Sequence, residues 1–394
     1  MSVRQEVYSR SVWGGDIESL ADRQPIDQDH EVDSARPIRA RQRHPLPMRD
    51  KLIENRYARQ IHFAPICENG QRLISSSNVA ILGCGALGTV VAEILARAGV
   101  GSLRLIDRDV VEWSNLQRQA LFDEQDAKEG NAKALAAAKR LSQINSDVQV
   151  QAQVVDVGAD NIGSTLGQAD MIVDASDNFS LRFLLNDWSL KETTPWVHGG
   201  CIGAMGQVRL FTGVGAPCLR CFLPEPPPAD TVATCETAGV VGSATHMIAS
   251  LQATEVIKWI SGNRDAVRTE MLSIDLWNNR IREVGVDPRP VDPCPACTQG
   301  RLEFLDGSRS RADRASVLCG RDAVQISGQT HEAVDLPRVA EKWRGIGRVQ
   351  TNPFFVRLHL EDQTLTLFRD GRAVVGGTTE IREARIVYDR YMGS

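Results

Sequence analysis

The stretch from residue 79 to residue 107, VAILGCGALGTVVAEILARAGVGSLRLID, restricts the fold of this chain more than any other. Val79 to Leu82 predict a short apolar strand. Gly83, Gly85 and Gly88 follow at the spacing G-x-G-x-x-G, then a helical segment, then a second strand ending in Asp107. Such glycines let the backbone turn tightly and approach a phosphate, which sits at the positive end of the helix. An acid about twenty residues past the last glycine is placed to accept hydrogen bonds from a ribose. The pattern calls for a nucleotide and leaves open which one, because an NAD site has the same spacing.

Beyond this unit, strands and helices continue to alternate. NAKALAAAKRLSQIN reads as a helix, VQVQAQVVDV and DMIVDAS as strands, and SLRFLLNDWSLKE as a helix with apolar positions at Leu181, Leu184, Leu185 and Trp188. PWVHGGCIGAMGQVRLFT holds two strands around a glycine-rich turn, and SATHMIASLQATEVIKWISG is a helix stopped by Gly262. Before the first strand, RYARQIHFAPICENGQRLISSS reads as one short helix. The alternation predicts an α/β fold, a Rossmann-like, mostly parallel sheet covered on both faces. Past GSRSRADR the character changes. PRVAEKWRGIG and EIREARIVYDRYM read as helices, and FFVRLHL and TLTLFRDGRAVVGG as strands, with Asp370-Gly371 a hairpin signal. The expected organisation is a poorly ordered, basic and proline-containing extension over 1–50, a nucleotide domain over 51–306, and a small α+β module over 307–394.

A chain of 394 residues exceeds one typical core, which agrees with more than one unit. The net charge of −5 argues against nucleic acid as the main partner, since a phosphate backbone calls for a basic face. No apolar run reaches the eighteen or so residues of a membrane span. MSVRQEVYSRSVWGGDIESL lacks the apolar core of a secretory leader, so the expected compartment is the cytoplasm.

Nine cysteines are present, and four form the pairs Cys218/Cys221 and Cys294/Cys297. Without a secretory leader such C-x-x-C pairs predict one closed, tetrahedral, structural Zn2+ site sooner than disulfides or two redox pairs. Cys67, Cys84 and Cys201 read as small buried fillers, Cys319 as structural, and His198 and His246 as satisfied core histidines. The loop beyond Asp107 carries Asp109, Asn115, Arg118 and Gln119; Lys133 opens the next helix, and Asp174 and Asp177 end another strand. In a parallel sheet these strand ends share one crevice. Two cations and a carboxylate around a glycine loop suit ATP with Mg2+, the cations neutralising phosphate charge and an aspartate holding the metal. Cys235 lies in PPPADTVATCETAGVVG before a segment that becomes helical. A thiol so placed has a depressed pKa, and a nucleophilic role is expected.

RYARQ, GCGALG, LIDRDVVEWSNLQRQ, GNAK, DASDN, CLRC, TCETAGVVG and CPAC occur in that order over roughly residues 55 to 300. Together they resemble the ThiF/MoeB family, bacterial relatives of the ubiquitin-activating enzymes. The resemblance implies ATP-dependent adenylation of the C-terminal glycine of a small ubiquitin-like sulfur-carrier protein ending in Gly-Gly. It places Gly83, Gly85, Gly88 and Asp107 around the nucleotide, Asn115, Arg118 and Lys133 on the phosphates, and Asp177 where it binds Mg2+ or positions the attack. Arg59 matches an arginine that the family inserts into the neighbouring subunit's site, which implies a homodimer. Cys235 matches a cysteine that can bond the activated carbonyl or its sulfur. A cysteine desulfurase or other sulfur donor is then a further partner. The C-terminal module is similar to the extension of thiamine-type members, which favours the ThiS type of carrier for the thiamine thiazole over the MoaD type for molybdopterin. A nicotinamide oxidoreductase and a non-catalytic carrier-binding module remain as readings of other classes.

Overall fold

The computed structural model describes residues 50–227, 238–285, 293–309, 315–318, 322–326 and 334–392, with the backbone alone for 50–55 and 315–318. Cys235, Cys319 and the N-terminal extension up to residue 49 lie outside the described residues.

Eight strands form the first sheet: β1 (Asn78–Leu82), β2 (Ser102–Ile106), β3 (Gln149–Gln153), β4 (Met171–Asp174), β5 (Trp196–Ile202), β6 (Met205–Phe211), β7 (Met271–Asp275) and β8 (Arg280–Val284). Their order is β3-β2-β1-β4-β5-β6-β7-β8. Pairing is parallel from β3 to β5 and antiparallel from β5 to β8. The reasons are in the residues. β1 and β4 are almost wholly apolar and lie in the middle, buried on both faces. β3 (QVQAQ) alternates and takes one edge. β8 (RIREV), exposed along its length, takes the other, where its charges discourage pairing with a further strand. The helix Gly242–Ile260 buries Ala244, Ile248, Ala249, Ala253 and Val256 in the same core as Val91 and Leu95 of the helix Gly88–Arg97.

The second sheet contains β9 (Ala315–Leu318), β10 (Ala323–Ile326), β11 (Arg348–Thr351), β12 (Phe355–His359), β13 (Thr364–Phe368) and β14 (Ala373–Gly376), in the order β11-β12-β13-β14-β10-β9. All its pairings are antiparallel. β13 and β14 form the expected hairpin, with Gly371 at φ 82 in the region that favours glycine. The helices Leu336–Trp343 and Ile381–Met392 cover this sheet. Its core includes Val356, Leu358, Leu365, Leu367 and Val375 around Trp343, whose indole N–H donates to the Tyr391 carbonyl at 3.0 Å.

Several expectations need correction. RYARQ to SSS forms two helices, Asp50–Ile61 and Cys67–Ser76, because Pro65 lies in the break and cannot donate a backbone hydrogen bond. Cys67 and His246 are exposed, since each falls on the solvent side of its helix; Cys84 and Cys201 are buried and His198 is a bonded core histidine, as expected. β7 and β8 have no counterpart among the expected strands. Among the described residues, no helix is long and apolar enough to cross a membrane.

Trp343→Ala should destabilise the C-terminal sheet by about 3–5 kcal/mol, as truncation of a buried aromatic does, with Trp343→Phe losing less. Urea unfolding followed by far-ultraviolet circular dichroism measures both.

Candidate functional site

The strand order reverses at β1: the chain crosses from β1 to β2 and on to β3 on one side, then returns from β3 to β4 on the other side of β1. An open α/β sheet presents its ligand crevice at such a parting, beyond the carboxyl ends of the strands. The glycine loop follows β1 directly. Gly83 (φ 93) packs so closely that a Cβ there would sit 2.7 Å from the Ala175 carbonyl oxygen, and a Cβ on Gly88 would overlap the Gly83 carbonyl. Gly85 differs: the nearest atom to its Cβ would be Gln119 Nε2 at 4.0 Å. Two glycines therefore close the turn, and the third leaves bare backbone in open space. The buried Gln119 nearby has its Oε1 without a hydrogen-bond partner. A bare backbone and an orphaned acceptor fit a ligand with phosphates and hydroxyl donors.

Asp107, directly after β2, holds the loop in place. Its carboxylate accepts from the Cys84 N–H at 2.6 Å and from the Asp109 N–H at 2.7 Å. Burial raises its pKa, opposed by Lys133 and reinforced by Asp109. Lys133, 4% exposed at the start of its helix, lies 3.4 Å from Asp109 Oδ2, and its backbone N–H donates to the Asp109 carbonyl. Asn115 is buried and accepts from the Glu112 N–H, closing the turn that presents Arg118; the Arg118 guanidinium donates to the Ser114 carbonyl at 2.7 Å. Arg108 makes a two-pronged pair with Asp156, both contacts at 2.9 Å. Burial works against its charge, and the carboxylates of Asp156, Asp109 and Asp177 outweigh that.

Asp177 is exposed between β4 and the helix Phe179–Glu192. A buried network underlies this loop. Asp174 accepts from Arg182 Nε at 3.0 Å, from Ser176 Oγ at 2.6 Å, and pairs with His198 Nδ1 at 3.0 Å. Gln252 donates to the Asp174 carbonyl at 2.8 Å, and Arg182 reaches the Ser176 carbonyl. Burial alone would raise the pKa of Asp174; Arg182, then His198 and Ser176, hold it below the usual range. Burial lowers that of His198, which keeps its ring neutral and donating from Nδ1. Sequence reasoning named Asp174 but gave Arg182 and Gln252 no role. The signal available was the lone arginine eight residues after Asp174, immediately before the apolar run Phe183, Leu184 and Leu185.

The four paired cysteines converge. Their sulfurs all lie within 4.8 Å of one another, with Cys218–Cys294 at 3.7 Å and Cys221–Cys297 at 3.5 Å. A Zn–S bond of about 2.3 Å puts tetrahedral sulfurs about 3.8 Å apart, so the set fits a closed structural zinc site. Each C-x-x-C is a turn: the Cys221 N–H donates to the Cys218 carbonyl and the Thr298 N–H to that of Cys294. The neighbouring Cys218 holds the Cys221 thiol below the ordinary cysteine range, so this sulfur is the readier of the two to ionise. Asn186 and Asp187 fasten the cluster to the sheet domain by accepting from the N–H groups of Leu219 and Phe304, both at 2.9 Å. Arg59 stands apart from these groups in sequence, on the helix Asp50–Ile61, with its side chain exposed.

Residues 57–296 match the model of the ThiF family. The chain is 42% identical over 342 residues to the sulfur carrier protein ThiS adenylyltransferase of Bacillus subtilis (strain 168), covering 86% of this chain and 100% of that one. It is 37% identical over 242 residues to the adenylyltransferase and sulfurtransferase MOCS3 of Danio rerio, covering 61% of this chain and 52%, about half, of that relative. A solved structure of E. coli MccB with ATP has the same fold, with a TM-score of 0.54 and 24% identity over 62% of this chain and 74% of that one.

Asp174→Asn should leave Arg182 as an uncompensated buried charge and cost about 3–5 kcal/mol at neutral pH. The folded pKa of Asp174 is depressed, so its contribution is present above 3.8 and lost as the pH falls through the folded value. The gap between wild type and variant in urea unfolding should therefore narrow on acidification below that point.

Proposed function

Because the chain belongs to the ThiF family, we propose that it is an adenylyltransferase acting on the C-terminal glycine of a ThiS-type ubiquitin-like sulfur carrier. The adenylate then serves conversion to the thiocarboxylate of thiamine thiazole biosynthesis. The observation that carries the choice of carrier is the length of the match. The likeness to the B. subtilis enzyme spans 86% of this chain, and so extends past the 57–296 family domain. The MOCS3 matches are shorter and less identical, covering 61–74% of this chain and only 52–66% of those relatives. A MoaD-type carrier is the second reading, favoured by the MOCS3 likeness alone. The glycine spacing is all that favours a nicotinamide oxidoreductase.

The chemistry follows from the arrangement. The loop of Gly83, Gly85 and Gly88 cradles the phosphates of ATP at the N-terminus of the helix Gly88–Arg97, and Asp107 accepts from the ribose. The carrier's terminal carboxylate attacks the α-phosphorus, the bond to the bridging oxygen breaks, and pyrophosphate leaves. Lys133 and Arg118, with Asn115 supporting the turn, stabilise the negative charge that builds on the phosphates. Asp177 and Asp109 are the carboxylates that would hold Mg2+, which supplies further charge neutralisation. Lys133 is fixed by its contacts with Asp109 rather than drawn in from solvent, so little reorganisation is needed when charge develops.

Two parts of the reading, the roles of Arg59 and Cys235, draw on the family pattern. Arg59 completes the site of a second copy in a homodimer. Cys235 bonds the activated carrier, either at its carbonyl, displacing AMP to form a thioester, or at its sulfur once a cysteine desulfurase or other donor has supplied it. The reaction takes place in the cytoplasm.

Purified protein with ATP, Mg2+ and each carrier type should give AMP on the terminal glycine of the ThiS-type carrier, seen by intact mass spectrometry. Adenylate only on the MoaD-type carrier would favour the second reading; adenylate on neither would sink both in favour of a binding module. Lys133→Ala and Asp177→Ala should each lower ATP–pyrophosphate exchange by about 100-fold or more, the scale of losing one preorganised charge, while circular dichroism stays unchanged. The cysteine cluster should carry one zinc per chain by metal analysis. Cys297→Ser should lose it and lower the melting temperature.

A further inference from the structure

The C-terminal sheet touches the nucleotide domain at residues that bracket the proposed ATP site. Arg372, only 5% exposed, begins the return from the Asp370-Gly371 turn and donates from a terminal nitrogen to the Arg108 carbonyl at 2.7 Å. Its guanidinium lies 3.8 Å from the centroid of the Phe368 ring, and its Nε is 3.8 Å from Asp370. Gln325 of β10, 6% exposed, points its Nε2 at Asp156, 3.3 Å away, the same carboxylate that grips Arg108. Asn352 donates to the Gly130 carbonyl at 3.0 Å, three residues before Lys133. Val110, Phe355 and Phe368 form an apolar cluster between these polar contacts.

The targets matter more than the number of contacts. Arg108 stands between Asp107 and Asp109, and Val110 follows them. Asp156 lies just past β3, so it and Arg108 occupy adjacent strand ends beside the ribose acid. A guanidinium taken out of water loses hydration that one carbonyl and a carboxylate at 3.8 Å restore only in part. An apolar contact would dock the two units without that expense. What the arginine adds is direction, because its planar donors fix the position of one backbone carbonyl.

We propose that Arg372 is a positioning residue for the nucleotide site. By holding the Arg108 carbonyl it sets Asp107 and Asp109, and together with Gln325 on Asp156 it makes the C-terminal module part of the ribose end of the crevice. The inference rests on the adenylyltransferase reading, and it assigns the module a task in ATP binding separate from carrier recognition.

Calorimetric titration of the full chain with Mg·ATP, without carrier, tests it. Arg372→Ala should weaken ATP binding roughly tenfold, the scale of one lost charge-assisted hydrogen bond. Arg372→Lys should recover part of the loss, since an ammonium can reach one carbonyl but cannot stack in the same way. Gln325→Ala should weaken binding by a smaller factor. Arg382→Ala, which removes a charge from an exposed position on the last helix, should bind as wild type does. In pyrophosphate exchange the loss should appear in KM for ATP, with kcat and KM for the carrier changed little. If Arg372→Ala does not fold, Arg372→Lys and Gln325→Ala decide the matter by the same titration. Wild-type affinity in the folded variants, or an equal loss in Arg382→Ala, overturns the proposal and leaves the adenylation reading standing. A wild-type chain that binds no ATP overturns both.

Discussion

The close approach of two backbones at the parting of β1 and β4 is the constraint on which the rest of the structure depends. Gly83 lies against Ala175, and Gly88 against Gly83, at distances that exclude any Cβ. That contact brings the loop after β1 and the loop after β4 into one crevice, with Asp107 tying the first loop to the end of β2 through the Cys84 N–H. Once those strand ends are joined, the charged residues beyond them have little freedom in where they point. Lys133 meets Asp109, and Arg108 feels the carboxylates of Asp109, Asp156 and Asp177. The site is thus built from backbone geometry first and from charge second.

Its charge is managed in two layers. Asp177 stands exposed, where a ligand or metal can reach it. Beneath it, Asp174, Arg182, His198 and Gln252 form a buried, bonded group that anchors the Ser176 backbone. Keeping the ion pair below and an exposed carboxylate above separates the cost of burying charge from the presentation of charge at the surface. The cysteine cluster is fastened further along the helix Phe179–Glu192, toward its C-terminal end, where Asn186 and Asp187 accept backbone hydrogen bonds from Leu219 and Phe304.

Much of this was legible in the sequence. The glycine spacing, the acid after β2 and the strand-end loops are short, contiguous patterns, and the structure brings them together at neighbouring strand ends. The cysteine pairs were legible for the same reason, each being a four-residue turn. β8 was not legible, since it is a charged, fully exposed strand without the apolar alternation that marks most strands, whereas β7 (MLSID) is largely buried and its short apolar run was passed over. The hold of Arg372 on Arg108 joins residues far apart in the chain, and nothing in GRAVVGG signals a buried arginine. His246 was misread because its apolar neighbours on the chain face the core while it faces outward. Sequence neighbourhood does not report helix face for a single residue.

The measurement that tests the central claim most directly is the crystal structure of the full chain with Mg2+ and a non-hydrolysable ATP analogue. The account predicts phosphates against the bare backbone at Gly85 and near Lys133, the ribose on Asp107, and a metal beside Asp177 or Asp109. An analogue bound anywhere other than the β1/β4 crevice, or a dinucleotide retained there from expression with its second ribose on these residues, would contradict it.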